Sequence, residues 1–217
     1  MPEYLPLCAS RLNLLPSPCR DCAWWQTAGI ARVSPSTAAA IRERWTTSLE
    51  VDWGEPGLIQ VSGPGETSGA SAIVPAVVHC APAALVPRLR DLLFVQVPAD
   101  AVVLFCLRVE GAPNPRQARR LLQEMLRQLK SRRVREVYAI AAREGGTPQE
   151  EHCEFFSHAF LAANGFEEVR TDHDLSLMRS DLRGLLALLA PLETALRRLL
   201  HDEPTPSPAA WSAHGPS

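Results

Sequence analysis

Four stretches of this 217-residue chain have residue types and spacings that could do chemistry. Cys19-Arg20-Asp21-Cys22 places two thiols at the spacing of a metal-ligand pair. A structural zinc ion takes four ligands. Cys8, Cys153, His152 and His158 are available but form no second pair. Thiols packed beside Trp24 and Trp25 explain the motif with fewer requirements, so no metal is expected. Arg116, Arg119 and Arg120 stand at the start of the most regular helical pattern in the chain. A helix N-terminus after a strand presents amides with no intrahelical partner. Arginines there oppose the helix dipole but give phosphate oxygens a charged clamp. Because Arg127, Lys130, Arg132, Arg133 and Arg135 continue the series, a solvated basic face is the competing account. Asp172-His173-Asp174 has the residue types of a metal site, but adjacent strand residues point opposite ways, so a hairpin turn accounts for it better. The glycines of 62–69 also read as a hairpin turn, since no helix start follows them.

Composition narrows the classes. Hydrophobic residues at 46% and charged residues at 21% supply a sizeable core and exclude a wholly disordered chain. A net charge of -2 excludes nucleic-acid binding by bulk charge, though not a local basic face. Nineteen prolines against 12 glycines require stretches that are neither helix nor inner strand. Residues 1–11 carry Glu3 and lack the basic and apolar regions of a secretory signal. No run approaches the roughly 18 apolar residues of a membrane span. The six cysteines are therefore expected reduced, in a cytoplasmic protein without membrane contact.

These residues need elements to position them. Residues 1–18 read as a flexible leader and 202–217 as a disordered tail, leaving one domain over 19–201. Ser34 and Pro35 open a helix whose Ile41, Trp45 and Leu49 make an apolar stripe. Strands are expected at 57–61 and 71–80. Residues 81–100 read as a connection with one helical turn near Arg88–Leu92. A buried strand spans Ala101–Val109. Ala118, Leu121, Leu122, Met125, Leu126 and Leu129 then mark a helix, and a parallel strand covers Val134–Ala142. A helix over 150–163 stops at Asn164-Gly165. Two strands, 166–170 and 175–182, follow. Leucine-rich helices flank Pro191.

This order resembles that of the Gcn5-related N-acetyltransferase (GNAT) family, over roughly residues 19–200. The most specific marks are the strand and basic helix of Val102–Leu129 and the Gly165-Phe166 pair. Cys19–Trp25 and Leu177–Arg183 resemble a bacterial subgroup. The resemblance implies an α/β fold with a mixed, mostly antiparallel central sheet flanked by helices. It also implies acetyl-CoA as co-substrate. In the family the strand before the basic helix splays from its neighbour and its backbone pairs with the pantetheine arm, which here falls on Leu107, Arg108 and Val109. The pyrophosphate falls on Arg116, Gln117, Ala118, Arg119 and Arg120.

The loop departs from the family pattern Gln/Arg-x-x-Gly-x-Gly/Ala. Pro113-Asn114-Pro115-Arg116-Gln117-Ala118 keeps only its last position. Both prolines lack an N–H for an anion. Leu161 stands where the family often has a general-acid tyrosine, and Glu154 falls near its usual asparagine. Glu110, just past the splayed strand, is the expected base for the acceptor ammonium, ahead of His79 and His173. The expected activity is acetyl transfer from acetyl-CoA to a primary amine of a small molecule or a protein, with a homodimer admissible. One alternative is a catalytically degenerate module that binds CoA or a protein partner without transfer. The other is a zinc-containing nucleic-acid-associated protein, against which the net charge and the lack of aromatics on the basic helix both speak.

Overall fold

The computed structural model of the chain describes residues 3–29, 33–61, 76–110, 114–143 and 155–183. The expected glycine turn at 62–69, Pro113, the segment holding His152, Cys153 and Glu154, the helices flanking Pro191 and the C-terminal tail lie outside these residues.

The strongest periodicity in the sequence forms α3, Pro115–Ser131, which buries Leu121, Leu122, Met125, Leu126 and Leu129. It connects β4 (Val102–Val109) to β5 (Glu136–Ala142), and the two strands pair in parallel as expected. The remaining strands are β1 (Glu3–Pro6), β2 (Gly57–Val61), β3 (Ala76–Pro82), β6 (Phe156–Ser157), β7 (Glu167–Asp172) and β8 (Leu175–Asp181). The sheet runs β1-β2-β3-β4-β5-β8-β7, with the two residues of β6 also against β5. Among the described strands only β4–β5 and β5–β6 are parallel, so the sheet is mixed and mostly antiparallel.

Strand alternation divides the core between two faces. Val103, Phe105, Tyr138, Ile140 and Leu177 cluster with Trp25 and with Leu49 of α2 (Pro35–Asp52). On the other face, Cys80 lies 3.9 Å from Met125 of α3, sulfur to sulfur. A guanidinium links the ends of α2 and α3. Arg132 stacks 3.9 Å from the Trp53 ring centre and donates to the Trp53 carbonyl at 2.8 Å. The expected solvated basic series thus loses one member to structure.

Three expectations are corrected. The N-terminal residues are not a loose leader, because β1 pairs along β2 and Leu7, Leu12 and Leu15 form a small core with Cys19, Ile59, Val61 and Val77. Pro6 is tolerated because an edge strand can spare an N–H. Between β1 and α2 lies α1, Ser17–Arg20. The second correction concerns α2. It starts as expected, with Ser34 accepting the Thr37 N–H and Pro35 in the first turn. Its deepest positions, however, are Ala38, Arg42, Thr46 and Leu49, while Ile41 and Trp45 are half-buried. The helix is turned so that the Trp45 indole donates to the Leu85 carbonyl at 2.7 Å and Arg42 reaches the Cys22 carbonyl. Third, α4 covers only His158–Ala162. Phe156 is spent on pairing with Ala141, and Ser157 caps α4 by accepting the Phe160 N–H. Among the described residues, no helix is long and apolar enough to cross a membrane.

Candidate functional site

The middle of the sheet contains a break. Opposite β3, His79 faces Phe105 and Val77 faces Arg108, so Cys106 and Leu107 of β4 stand against Val78 alone. This is a β-bulge, which bends its strand and sharpens the local twist. Cys106 takes φ +53° there, unusual for a residue with a Cβ. The β4–β5 ladder covers Val102–Leu104 against Val137–Ala139 and goes no further. Since β8 lines the other edge of β5 from Glu136 to Ala142, β6 must lie on the edge that β4 has left. A gap therefore opens between β4 past Leu104 and β6.

The expected site residues lie around this gap in two groups. Leu107, Arg108 and Val109 are half-buried along the diverging end of β4. Glu110 follows and accepts from Arg108 Nε at 2.9 Å, so the nominated base already carries a cationic partner. The second group opens α3. Arg116, Arg119 and Arg120 are exposed, and Gln117 and Ala118 are half-buried. Asn114 uses its side chain on the Gln117 N–H and its carbonyl on the Ala118 N–H, both at 3.1 Å. Pro115 has no N–H, so within that turn the Arg116 amide is the one left for an anion among the described residues. An anion at this end of α3 would meet charged side chains more than an amide cradle.

His79 is not available as a base. It is 1 % exposed, stacks on Phe105 with ring centres 5.6 Å apart, and lies 3.4 Å from Arg42 Nη1 through Nε2. Burial, reinforced by the Arg42 charge, holds its pKa well below the ordinary histidine value. His173 sits in the β7–β8 turn, 2.7 Å from Asp172. No group of three metal-ligating side chains occurs among the described residues. Among the described residues neither Cys19 nor Cys22 is in a disulfide, and burial pushes the Cys19 thiol up to about 11 although Arg42 and Arg108 pull it down. Leu161 is fully buried. The chain has two tyrosines, Tyr4 and Tyr138. The Tyr138 hydroxyl donates to Glu136 at the opposite end of β5 from the gap.

Sequence reasoning missed what walls the gap on the α2 side. Trp25 and Trp45 pack on Phe105 with ring centres 5.2 and 6.1 Å away, and Phe155 meets Trp25 edge-on at 5.9 Å. The signal was present in the aromatic pairs Trp24-Trp25 and Phe155-Phe156.

Beyond β5, a recess of about 480 Å³ is lined by Arg143, His158, Ala159 and Glu168. Glu168 receives Arg143 Nη2 at 2.9 Å on both oxygens, Ser176 at 2.8 Å and Thr171 at 2.9 Å. These bonds, that from Arg143 foremost, lower its pKa to about 2. A carboxylate depressed on folding adds stability that is present above its unfolded value, 4.5, and lost as pH falls through the folded value. Thermal unfolding followed as pH falls through that window should therefore show Glu168→Gln losing less stability than the parent. Parallel curves would mean that the carboxylate contributes nothing to the acid response.

Compared by sequence, the chain matches no family model and no curated relative. Compared by structure, it is similar to a GNAT superfamily phosphinothricin acetyltransferase from Sinorhizobium meliloti in complex with AcCoA. That likeness has a TM-score of 0.51 at 16% identity, over 83% of this chain and 88% of that one. An N-acetyltransferase from Staphylococcus aureus Mu50 gives 0.50 at 15% identity, over 84% and 99%. The structure of yncA from Salmonella typhimurium with its cofactor acetyl-CoA gives 0.50 at 13% identity, over 83% and 94%. The chain has the GNAT fold, in a divergent form.

Proposed function

We propose that the protein is an acetyl-CoA-dependent N-acetyltransferase acting on a primary amine. The observation that carries this reading is the gap in the parallel β4–β5 pair, opened by the bulge at Cys106 and Leu107. An extended amide-bearing chain such as pantetheine can pair with the edge of β4 along Leu107, Arg108 and Val109 as an added strand would. Arg116, Arg119 and Arg120 at the start of α3 then meet the pyrophosphate, with Gln117 and Ala118 at the same turn. The phosphinothricin acetyltransferase and yncA structures, with AcCoA and acetyl-CoA, support this placement by analogy of fold.

Acetyl-CoA supplies an activated thioester for transfer to the amine. Glu110 takes the proton from the acceptor ammonium, directly or through one water, while Arg108 keeps the carboxylate oriented. The amine nitrogen then bonds to the acetyl carbon as the carbon–sulfur bond breaks, and the second proton that the nitrogen sheds on becoming an amide passes through water to the departing CoA thiolate. No tyrosine is required for that last step, in keeping with Leu161.

Acetyl-CoA is expected to raise the melting temperature, since a ligand bound only by the folded state stabilises it. Thiol release with a panel of amines reports transfer. Glu110→Gln should lower kcat about 100-fold or more and leave the acetyl-CoA shift intact. No shift in the parent protein would sink the reading. A shift without thiol release across the panel would favour the second reading, a module that binds CoA without transfer, to which Leu161 points.

A further inference from the structure

Among the described residues, Arg42 is a buried cation without a counter-ion. It is 2 % exposed, and a guanidinium stays protonated at any working pH. Nε donates to the Cys22 carbonyl at 2.9 Å, Nη2 donates to the same oxygen, and Nη1 lies 3.4 Å from His79 Nε2. No carboxylate among the described residues is within ion-pair distance. Taking a charge out of water without a partner costs several kcal/mol, and two carbonyl bonds are a weak offset.

The imidazole beside Arg42 has a second unmet need. Arginine can only donate, so Nε2 of the neutral His79 accepts and its proton sits on Nδ1. That Nδ1–H is buried with no hydrogen-bond partner among the described residues, as is the indole N–H of Trp25, which is 2 % exposed. Both rings pack on Phe105, the first residue past the β4–β5 ladder. A cation and two unused neutral donors are thus gathered on the α2 side of the gap.

We infer that this cluster, centred on Arg42, is a subsite for the carboxylate of the acceptor, so that the amine acetylated at the gap belongs to an amino acid. This rests on the acetyl-transfer reading for the reaction but not for the binding. One guanidinium and neutral N–H groups match a planar monoanion. A phosphate dianion would keep half its charge unmatched, and a neutral amide would leave Arg42 as it stands. The Cys22 carbonyl occupies the Nε–Nη2 edge that a carboxylate oxygen would take, so it acts as a neutral stand-in that the ligand displaces. Cys22 itself is half-buried and lies outside helix and strand.

The test uses the full chain without acetyl-CoA. Melting temperatures are read with the common L-amino acids, the C-terminal amides and decarboxylated amines derived from them, and inorganic phosphate. At least one amino acid should raise the melting temperature by a few degrees while its amide, its amine and phosphate do not. Arg42→Gln should be as stable as the parent or more so. It should lose the amino-acid shift and keep the acetyl-CoA shift. Arg42→Lys, which keeps the charge but not the fork, should weaken binding about tenfold, and it serves if the glutamine variant fails to fold. The inference is overturned if no amino acid shifts the protein, if amides or phosphate act equally, or if the response survives in both Arg42 variants. Amino-acid binding without any acetyl-CoA shift would leave the subsite standing and remove the proposed reaction.

Discussion

Gly57→Ala should cost about 3 kcal/mol, the upper end for inserting a methyl group into packed structure. A Cβ at this position would lie 2.2 Å from the Val78 carbonyl oxygen and 3.0 Å from His79 Cα. Both obstacles are main chain, so no side-chain rotation relieves them. Gly57 faces His79 in the β2–β3 register, and β3 would have to move away from β2 at the residue that touches both Arg42 and Phe105. Urea unfolding should show a lower midpoint at an unchanged slope. An unchanged midpoint would mean that β2 and β3 are not held this close.

Phe105→Ala should cost about 3–5 kcal/mol, the range for emptying a buried aromatic position. The ring is 1 % exposed and is touched by Trp25, Trp45 and His79. All three are large and carry polar ring nitrogens, so the hole cannot collapse without bringing buried N–H groups together. Against a typical total stability of about 5–15 kcal/mol, the variant should melt far below the parent. A loss under about 1 kcal/mol would show that the aromatic group is loosely packed and that Phe105 does not organise the α2 side of the gap.

The central β4-α3-β5 unit was legible because its apolar residues recur with the helical period between two apolar runs. Ser34 marked a helix start through its side-chain cap, and Pro35 and Gly165 marked helix ends through the chemistry of their own backbones. The bulge was not legible. Val102–Val109 is apolar on both faces through Cys106, so one extra residue in the run breaks no alternation. β1 was hidden by Pro6, whose cost vanishes only at a sheet edge, and edge position is a property of the whole sheet. Arg42 was hidden for a related reason. It occupies a helical position between Ala38 and Leu49 that the stripe reserves for the core, but a single charge in such a place is read as surface until its neighbours are known. Glu110 and Arg108 were legible as candidates, whereas their mutual ion pair depends on how the strand ends.

β4 and β6 compete for one edge of β5. β4 holds that edge through Ala139, β6 takes it from Ala141, and Ile140 alone lies between the two ladders. The opening at the centre of the sheet is therefore a boundary between rival pairings, and two residues ahead of α4 set where it falls. A longer β6 would extend the sheet past the place where β4 turns away. A shorter one would leave β5 with bare amides facing the gap. Changes at Phe156 and Ser157 thus give access to the shape of the cleft without touching a residue on β4.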